Sequence, residues 1–281
     1  MEPTLLGWMK RRRDPAEAVL LDIDGVLTYG GHPIAGANKF LQYLATHSIP
    51  FFLVTNDGDH SPEEKVEILQ QCNIDVSPSD IISCGHVIWH LVEENGYQNK
   101  LFFVLGSLGK PCYAQRAGLR VTRDVKEISL CDGIIIGERE YEWEPYINAV
   151  VNRCIEMPDI PIWVPNPDIY CPRKEGGIQI TAGAVANFMT MILDTYGIKI
   201  TPSYLGKPYL SVFEEAYRKL TEKNKFIRKE NVLFVGDLLN GDILGAQQFG
   251  YMDVLALTGV TTISMLHESD ITPRVVVKRL A

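Results

Sequence analysis

Short, fully apolar runs alternate with amphipathic stretches along the chain, and this alternation defines the predicted elements. Strands are predicted at residues 19–23, 50–55, 232–235 and 253–257, and helices at residues 35–47, 61–72 and 242–249. Fully apolar strands that alternate with helices are typical of a parallel sheet covered by helices on both faces. The predicted fold class is therefore α/β, with a Rossmann-like, doubly wound parallel sheet as its core.

The middle of the chain repeats this pattern on a smaller scale. Strands are predicted there at residues 101–105, 133–136 and 162–164, and helices at residues 107–118 and 144–156. We interpret this segment as a smaller α/β domain inserted between the two halves of the first. The predicted core domain therefore comprises residues 1–85 and 198–281, and the predicted inserted domain comprises residues 86–197.

Composition narrows the class of protein. The 281 residues are 46% hydrophobic and 22% charged, a balance that excludes wholesale disorder. The net charge of −8 argues against general binding to nucleic acid. The six cysteines form no C-x-x-C pair, and no apolar run has the length of a signal or membrane segment. We expect a reduced, cytoplasmic protein without a membrane or nucleic-acid partner.

Polar side chains cluster where the predicted core strands end. Asp22 and Asp24 follow the apolar run VLL, and Thr55 ends the run PFFLV. In parallel α/β sheets, ligands bind beyond the carboxyl ends of the strands. The candidate site residues are Asp22, Asp24, Thr55, Asn56, Lys207, Asp237 and Asp242.

Several carboxylates at one sheet edge repel one another, so a hard divalent cation is their natural partner. Mg²⁺ prefers oxygen ligands and keeps positions open for phosphate, and a nearby lysine and hydroxyl would complete a phosphate site. Residues two apart in a strand share a face, about 6–7 Å apart. Asp22 could then attack phosphorus while Asp24 acts as general acid, which requires a pKa above its usual value of about 3.9. The pattern predicts a Mg²⁺-dependent enzyme that catalyses phosphoryl transfer.

Four motifs resemble those of the haloacid dehalogenase superfamily of aspartyl-phosphate phosphatases, and they occur in the order of that family. They are Asp22-Ile-Asp24-Gly-Val-Leu, Thr55-Asn56, Gly206-Lys207-Pro208, and Gly236-Asp237 followed by Asp242. Each motif alone is weak evidence, whereas the ordered set is specific. The resemblance extends from about residue 17 to residue 260.

The insert resembles that of the NagD-like and 4-nitrophenylphosphatase group. The segments that carry this resemblance are residues 166–168 (NPD), 181–184 (TAGA) and 137–141 (GEREY). The resemblance implies a large α/β cap and hydrolysis of a small phosphomonoester, of the sugar phosphate, phosphoglycolate, nucleotide or p-nitrophenyl phosphate type. Relatives with such caps often pair through the insert, so a homo-oligomer formed through the cap is a further expectation.

The resemblance assigns metal binding and proton transfer to the aspartates. Asp22 would be the nucleophile and a Mg²⁺ ligand. Asp24 would be the acid and base, with its backbone carbonyl on the metal. Asp237 would be the remaining protein ligand, and Asp242 would bind the metal or lie just outside its ligands.

The same resemblance assigns phosphate binding to the other motif residues. The Thr55 hydroxyl and the Asn56 amide would hold phosphoryl oxygens, and Lys207 would steady the charge of the aspartyl-phosphate. Asp57 is a further candidate for substrate binding. It begins a departure from the family pattern, Asp-Gly-Asp-His at residues 57–60, whose added negative charge would weaken anion binding unless the side chains point away. A second departure is Gly241, where relatives commonly have threonine.

Three alternative functions are compatible with parts of this pattern. A phosphomutase also uses the D-x-D pair. A phospho-acceptor switch of the receiver type combines Asp, Thr and Lys on a parallel sheet, but such domains are short and usually lack the second aspartate. A catalytically quiet relative would bind a metabolite without turning it over.

Overall fold

The structure is a computed structural model that describes residues 1–139, 141–173 and 176–281. In these ranges the strands are β1 (Ala18–Leu21), β2 (Thr28–Tyr29), β3 (His32–Pro33), β4 (Phe51–Thr55), β5 (Ile81–Ser83), β6 (Leu101–Leu105), β7 (Arg120–Thr122), β8 (Gly133–Ile136), β9 (Ile162–Val164), β10 (Tyr170–Pro172), β11 (Ile178–Ile180), β12 (Ser203–Tyr204), β13 (Val232–Gly236), β14 (Met252–Ala256) and β15 (Val275–Val277). The α-helices of the same ranges are α1 (Leu5–Arg11), α2 (Ala37–Thr46), α3 (Pro62–Gln71), α4 (Ile88–Glu94), α5 (Tyr113–Arg116), α6 (Asn148–Glu156), α7 (Ala182–Tyr196), α8 (Leu210–Lys223), α9 (Leu244–Phe249) and α10 (Ile263–Glu268). Glu140, which belongs to the GEREY segment, lies outside the described residues.

The chain divides into two compact units. The first unit comprises Met1–Thr55, Lys65–Ile82 and Lys207–Ala281, and the second comprises Asn56–Glu64 and Ser83–Gly206. The nine residues after Thr55 therefore group with the insert, although Lys65–Ile82 of the first unit separate them from it in the sequence. The functional division into a catalytic core and a cap stays a prediction.

The first unit is built on a six-stranded sheet in the order β15-β14-β13-β1-β4-β5. Strand β1 pairs in parallel with β13 on one side and with β4 on the other. The chain continues outward from β1 in one direction through β4 and β5, and in the other direction through β13, β14 and β15. The strand order thus reverses between β1 and β13, and such a switch point is where ligands bind in open α/β sheets.

Burial explains the apolar sequence of the central strands. All four residues of β1 are fully buried, as expected for a parallel strand covered on both faces. Helix α2 contributes Ala37, Phe40, Leu41 and Leu44 to the same core, at the spacing of one helical face. The predicted α/β class with a doubly wound parallel sheet is confirmed.

The second unit contains a parallel five-stranded sheet of its own, in the order β12-β9-β8-β6-β7. The antiparallel pair β10–β11 lies outside that sheet. A separate apolar cluster, which includes Phe103, Ile134 and Met189, packs its sheet against its helices.

Two predicted helices of the insert are shorter than expected. Only Tyr113–Arg116 is α-helical within residues 107–118, because Gly109 has a left-handed φ of 72° and Pro111 lacks a backbone N–H. Within the predicted helix at residues 144–156 the α-helix is Asn148–Glu156. A π-helical turn, Trp143–Ile147, precedes it and is kinked at Glu144, which has an extended backbone before Pro145.

None of the helices in the described residues is both long and apolar enough to span a lipid bilayer.

Candidate active site

Two neighbouring strands of the first unit deliver aspartates to the same sheet edge. Asp22 directly follows β1, and its N–H donates to the carbonyl of Val235 in β13 at 2.8 Å. Asp237 directly follows β13. Because the two strands are parallel and adjacent, both carboxylates emerge at the switch point of the sheet.

Three buried carboxylates and one lysine meet there, and we call this group the acidic cluster (Asp22, Lys207, Asp237 and Asp242). Carboxylate oxygens of the three aspartates all lie within 4.8 Å of one another. Lys207 Nζ lies 2.6 Å from Asp22 Oδ1 and 2.7 Å from Asp242 Oδ1. Three carboxylates and one ammonium leave two negative charges in excess, which matches the charge of a divalent cation.

Burial and neighbouring charges shift the pKa values of the side chains in the acidic cluster. Burial raises the pKa of Asp22 well above its ordinary value, and the nearby ammonium of Lys207 only partly opposes this. Burial and the carboxylate of Asp242 raise the pKa of Asp237 to about 7. Burial alone would lower the pKa of Lys207, but the adjacent Asp22 and Asp242 outweigh it and raise the pKa. The set of oxygen donors and its excess charge fit a divalent metal ion.

Backbone geometry fixes the position of Asp237. The second oxygen of Asp242 accepts the N–H groups of Asp237 and Leu238 at 3.1 and 3.0 Å. Gly25 approaches from the other side with a left-handed φ of 94°, and a Cβ atom there would overlap the Asp237 carboxylate. Asp242 therefore contacts both the loop after β13 and Lys207.

Thr55 also lies at this sheet edge. It is the last residue of β4, it is 4% exposed, and the carbonyl of the preceding Val54 accepts a hydrogen bond from Lys207 Nζ at 3.2 Å. The first unit thus brings Thr55 and the acidic cluster together, as the sequence predicts.

The carboxylate of Asp24 stands apart from the acidic cluster. Its side chain is 65% exposed, Oδ2 lies 3.1 Å from Lys65 Nζ, and Oδ1 accepts the hydroxyl of Thr28 at 3.2 Å. The sequence reasoning missed Lys65. A signal was present, since Lys65 occupies the helical position four residues before the buried Leu69 and adjoins Val66, where an apolar residue is expected.

Asn56 and Asp57, the other predicted phosphate-binding residues, belong to the second unit. The Asn56 side chain is buried and donates to Asp168 Oδ1 at 3.1 Å. The Asp57 carboxylate accepts the N–H groups of Asp59 and His60 at 3.0 and 3.1 Å and lies 2.9 Å from His60 Nδ1. The Asp57 carboxylate is therefore paired with hydrogen-bond donors of its own loop.

Glu138 is a buried acid of the second unit that the sequence analysis did not single out as a site residue. It is 5% exposed, and its Oε2 accepts the N–H of Ala182 at the start of α7 at 3.3 Å. Burial raises its pKa to about 8, the Asn166 side chain opposes this, and the charge of Asp57 adds to it.

We predict that Glu138→Gln makes stability less dependent on pH. Because the folded-state pKa is raised from about 4.5 to about 8, the stabilising contribution of neutral Glu138 is complete below pH 4.5. It is lost as the pH rises through 8. Wild type and variant should have similar urea midpoints at pH 5, and the variant the higher midpoint at pH 9. Identical pH profiles would contradict a buried, proton-bearing Glu138.

Family models match the two parts of the chain that carry the predicted motifs. The family described as haloacid dehalogenase-like hydrolase matches residues 19–120, and the family described as HAD-hydrolase-like matches residues 204–281. Together the matches include every predicted site residue. The chain belongs to the haloacid dehalogenase-like hydrolases.

Individual relatives extend this match over nearly the whole chain. An acid sugar phosphatase of Staphylococcus haemolyticus is 28% identical over 257 residues, 90% of each protein. NagD from Escherichia coli K-12 has a TM-score of 0.78 at 22% identity and covers 94% of this chain and 96% of its own. A possible sugar phosphatase of the superfamily from Cytophaga hutchinsonii has a TM-score of 0.81 at 24% identity and covers 99% of this chain and 98% of its own.

These comparisons confirm two predictions. The two solved structures share the fold of this chain, so the NagD-like architecture is confirmed. The curated relatives confirm an enzyme of the haloacid dehalogenase phosphatase class. Phosphatases of this class generally use a divalent metal ion, which agrees with the carboxylates of the acidic cluster.

Proposed function

We propose that the chain is a Mg²⁺-dependent phosphatase that hydrolyses a small phosphomonoester through an aspartyl-phosphate on Asp22. The observation that carries this proposal is Lys207 Nζ lying between the carboxylates of Asp22 and Asp242, with Asp237 beside them, at the switch point of a parallel sheet. The relative from S. haemolyticus is named an acid sugar phosphatase, which favours a sugar phosphate as substrate.

The residues that would hold Mg²⁺ are Asp22 and Asp237 through their carboxylates and Asp24 through its backbone carbonyl. Asp242 would support them, since both of its oxygens already contact Lys207 or backbone N–H groups. When bound, the metal neutralises charge on the transferring phosphoryl group.

In the first step, a carboxylate oxygen of Asp22 attacks phosphorus. The bond between phosphorus and the ester oxygen breaks, and its electron pair stays on that oxygen. Asp24 gives its proton to the same oxygen, so the product alcohol leaves neutral. Lys207, 2.6 Å from Asp22, favours the ionised form of the nucleophile and offsets the charge of the aspartyl-phosphate.

In the second step, Asp24 is a carboxylate and takes a proton from a water molecule. The oxygen of that water attacks phosphorus, and the bond from phosphorus to Asp22 breaks. Inorganic phosphate leaves, and both aspartates return to their starting states.

Phosphate binding is assigned to the loop after β4. The Thr55 hydroxyl and the Asn56 amide would hold phosphoryl oxygens. The burial of Thr55 at the end of β4 supports its part of this assignment, because its side chain is held in place at the sheet edge. Asp57 would act through its loop, where its carboxylate binds His60.

Two further parts of the proposal concern the cellular compartment and the oligomeric state of the enzyme. Five buried cysteines carry free thiols, which supports a reduced, cytoplasmic environment: Cys72, Cys84, Cys112, Cys131 and Cys154. The exposed side chains of Ile178 and Ile180 in β11 support a homo-oligomer formed through the cap.

We expect the purified protein to release inorganic phosphate from p-nitrophenyl phosphate and from some members of a sugar phosphate panel when Mg²⁺ is present. EDTA should reduce the rate by about 10²-fold or more, because the metal supplies several kcal/mol of charge stabilisation, and added Mg²⁺ should restore it. A full rate in EDTA would contradict the proposal. An isomerised sugar phosphate in place of free phosphate would show a phosphomutase.

A further inference from the structure

Lys65 is a buried lysine on helix α3 of the first unit. Its side chain is only 8% exposed. Lysine is rarely buried without an ionic partner, and here the partner is Asp24. Its Nζ lies 3.1 Å from Oδ2 of Asp24, which is 41 residues earlier in the chain. The apolar part of the Lys65 side chain is therefore buried, and its ammonium group contacts the Asp24 carboxylate.

The other oxygen of Asp24 is held as well. Thr28, itself 4% exposed, donates its hydroxyl to Asp24 Oδ1 at 3.2 Å. Each carboxylate oxygen of Asp24 thus has a donor from a buried side chain, while the Asp24 side chain as a whole is 65% exposed. The Asp24 side chain is therefore accessible to solvent, while Lys65 and Thr28 hold its two carboxylate oxygens.

Stability alone does not account for this arrangement. Ion pairs with a solvent-exposed partner contribute little to the free energy of unfolding, and an apolar side chain would fill a buried helical position at lower desolvation cost. The pair restricts the side-chain torsions of Asp24, which an exposed carboxylate would otherwise sample freely.

We propose that Lys65, together with Thr28, is a positioning residue that holds the Asp24 carboxylate in the orientation needed for proton transfer to the leaving group. This inference rests on the proposed function, in which Asp24 is the general acid. General acid catalysis contributes about 10²- to 10⁴-fold, and a displacement of about 1 Å can cost about 10²-fold. Loss of the contact between Lys65 and Asp24 should therefore slow the hydrolysis of those esters whose leaving group needs a proton from Asp24.

The dependence on the leaving group tests this role. The esters p-nitrophenyl, phenyl and benzyl phosphate are similar in size, but their leaving oxygens are increasingly basic. The nitrophenolate leaves with little help from an acid, whereas the alkoxide of benzyl phosphate needs the proton. For Lys65→Met we expect kcat to fall by about 10-fold or more for benzyl phosphate and by less than about 3-fold for p-nitrophenyl phosphate.

Three further variants separate positioning from general damage. Lys65→Arg keeps a cation and should recover part of the benzyl phosphate rate. Thr28→Val removes the other donor without changing the side-chain volume, and it should show the same selective loss. Glu67→Gln alters an exposed residue of the same helix and should leave all three rates unchanged.

The outcomes distinguish this inference from the proposed function. Equal loss on all three esters in Lys65→Met, or an unchanged rate on each, overturns the positioning role while the phosphatase stands. A wild-type protein that hydrolyses none of the esters in Mg²⁺ overturns both. A selective loss on benzyl phosphate that Lys65→Arg partly reverses supports the inference.

Discussion

Asp22→Asn is expected to abolish turnover, lowering kcat by about 10⁴-fold or more on every phosphomonoester that the wild type hydrolyses. Asparagine has the shape of aspartate but no ionised oxygen to attack phosphorus, and the substitution would also remove a charged ligand of the proposed metal ion. Release of inorganic phosphate in the presence of Mg²⁺ measures this directly. Wild-type rates in the purified variant would refute Asp22 as the nucleophile.

The same substitution should leave the fold intact, which makes the loss of activity interpretable. Burial raises the pKa of Asp22, so in the metal-free protein its ionised form is disfavoured and a neutral amide relieves that cost. Lys207 keeps its contact with Asp242 at 2.7 Å. The melting temperature without metal should equal or exceed that of the wild type, and a large decrease would show that Asp22 is needed for folding.

Lys207→Met should cost both activity and stability. Its Nζ contacts two buried carboxylates and the carbonyl of Val54, and all three contacts are lost in the variant. Removing one member of a buried ion pair costs about 3–5 kcal/mol, because the remaining charges stay desolvated without a partner. We expect a decrease of that size in the free energy of unfolding in EDTA, together with loss of phosphate release.

A double variant is the matched control for this prediction. In Lys207→Met combined with Asp242→Asn, the carboxylate of Asp242 that has lost its cation is replaced by a neutral amide. Part of the lost free energy of unfolding should therefore return. Activity should not return, since the lysine that neutralises Asp22 is still missing. An unfolding free energy of Lys207→Met equal to that of the wild type would show that the carboxylates do not depend on this cation.

Local patterns in the sequence were sufficient for the fold class and for the motif positions. Fully apolar runs such as VLL before Asp22 and VLFV before Gly236 identify buried parallel strands, because only a strand covered on both faces is apolar throughout. A polar residue directly after such a strand must lie at the carboxyl edge of the sheet. The proximity of Asp22 and Asp237 therefore follows once their strands are neighbours.

The sequence was a poorer guide to local interruptions and to side-chain orientation. The predicted helix at residues 107–118 is interrupted because backbone N–H groups bond elsewhere, Ser107 to Glu138 and Gly109 to Asp59. The sequence leaves open whether the Asp57 carboxylate faces a bound phosphate, and in the structure that carboxylate binds His60 and two backbone N–H groups. These partners depend on the packing of the second unit.

The sequence by itself determined a doubly wound α/β hydrolase with an ordered set of aspartates and a lysine, since hydrophobic periodicity and motif order are properties of neighbouring residues. Only the tertiary structure decided which side chains bond to one another. It separated the Asp24 carboxylate from the acidic cluster, paired it with Lys65 across 41 residues, and grouped residues 56–64 with the insert. Such pairings depend on where helices and loops pack against the sheet, and local hydrophobic patterns do not carry that information.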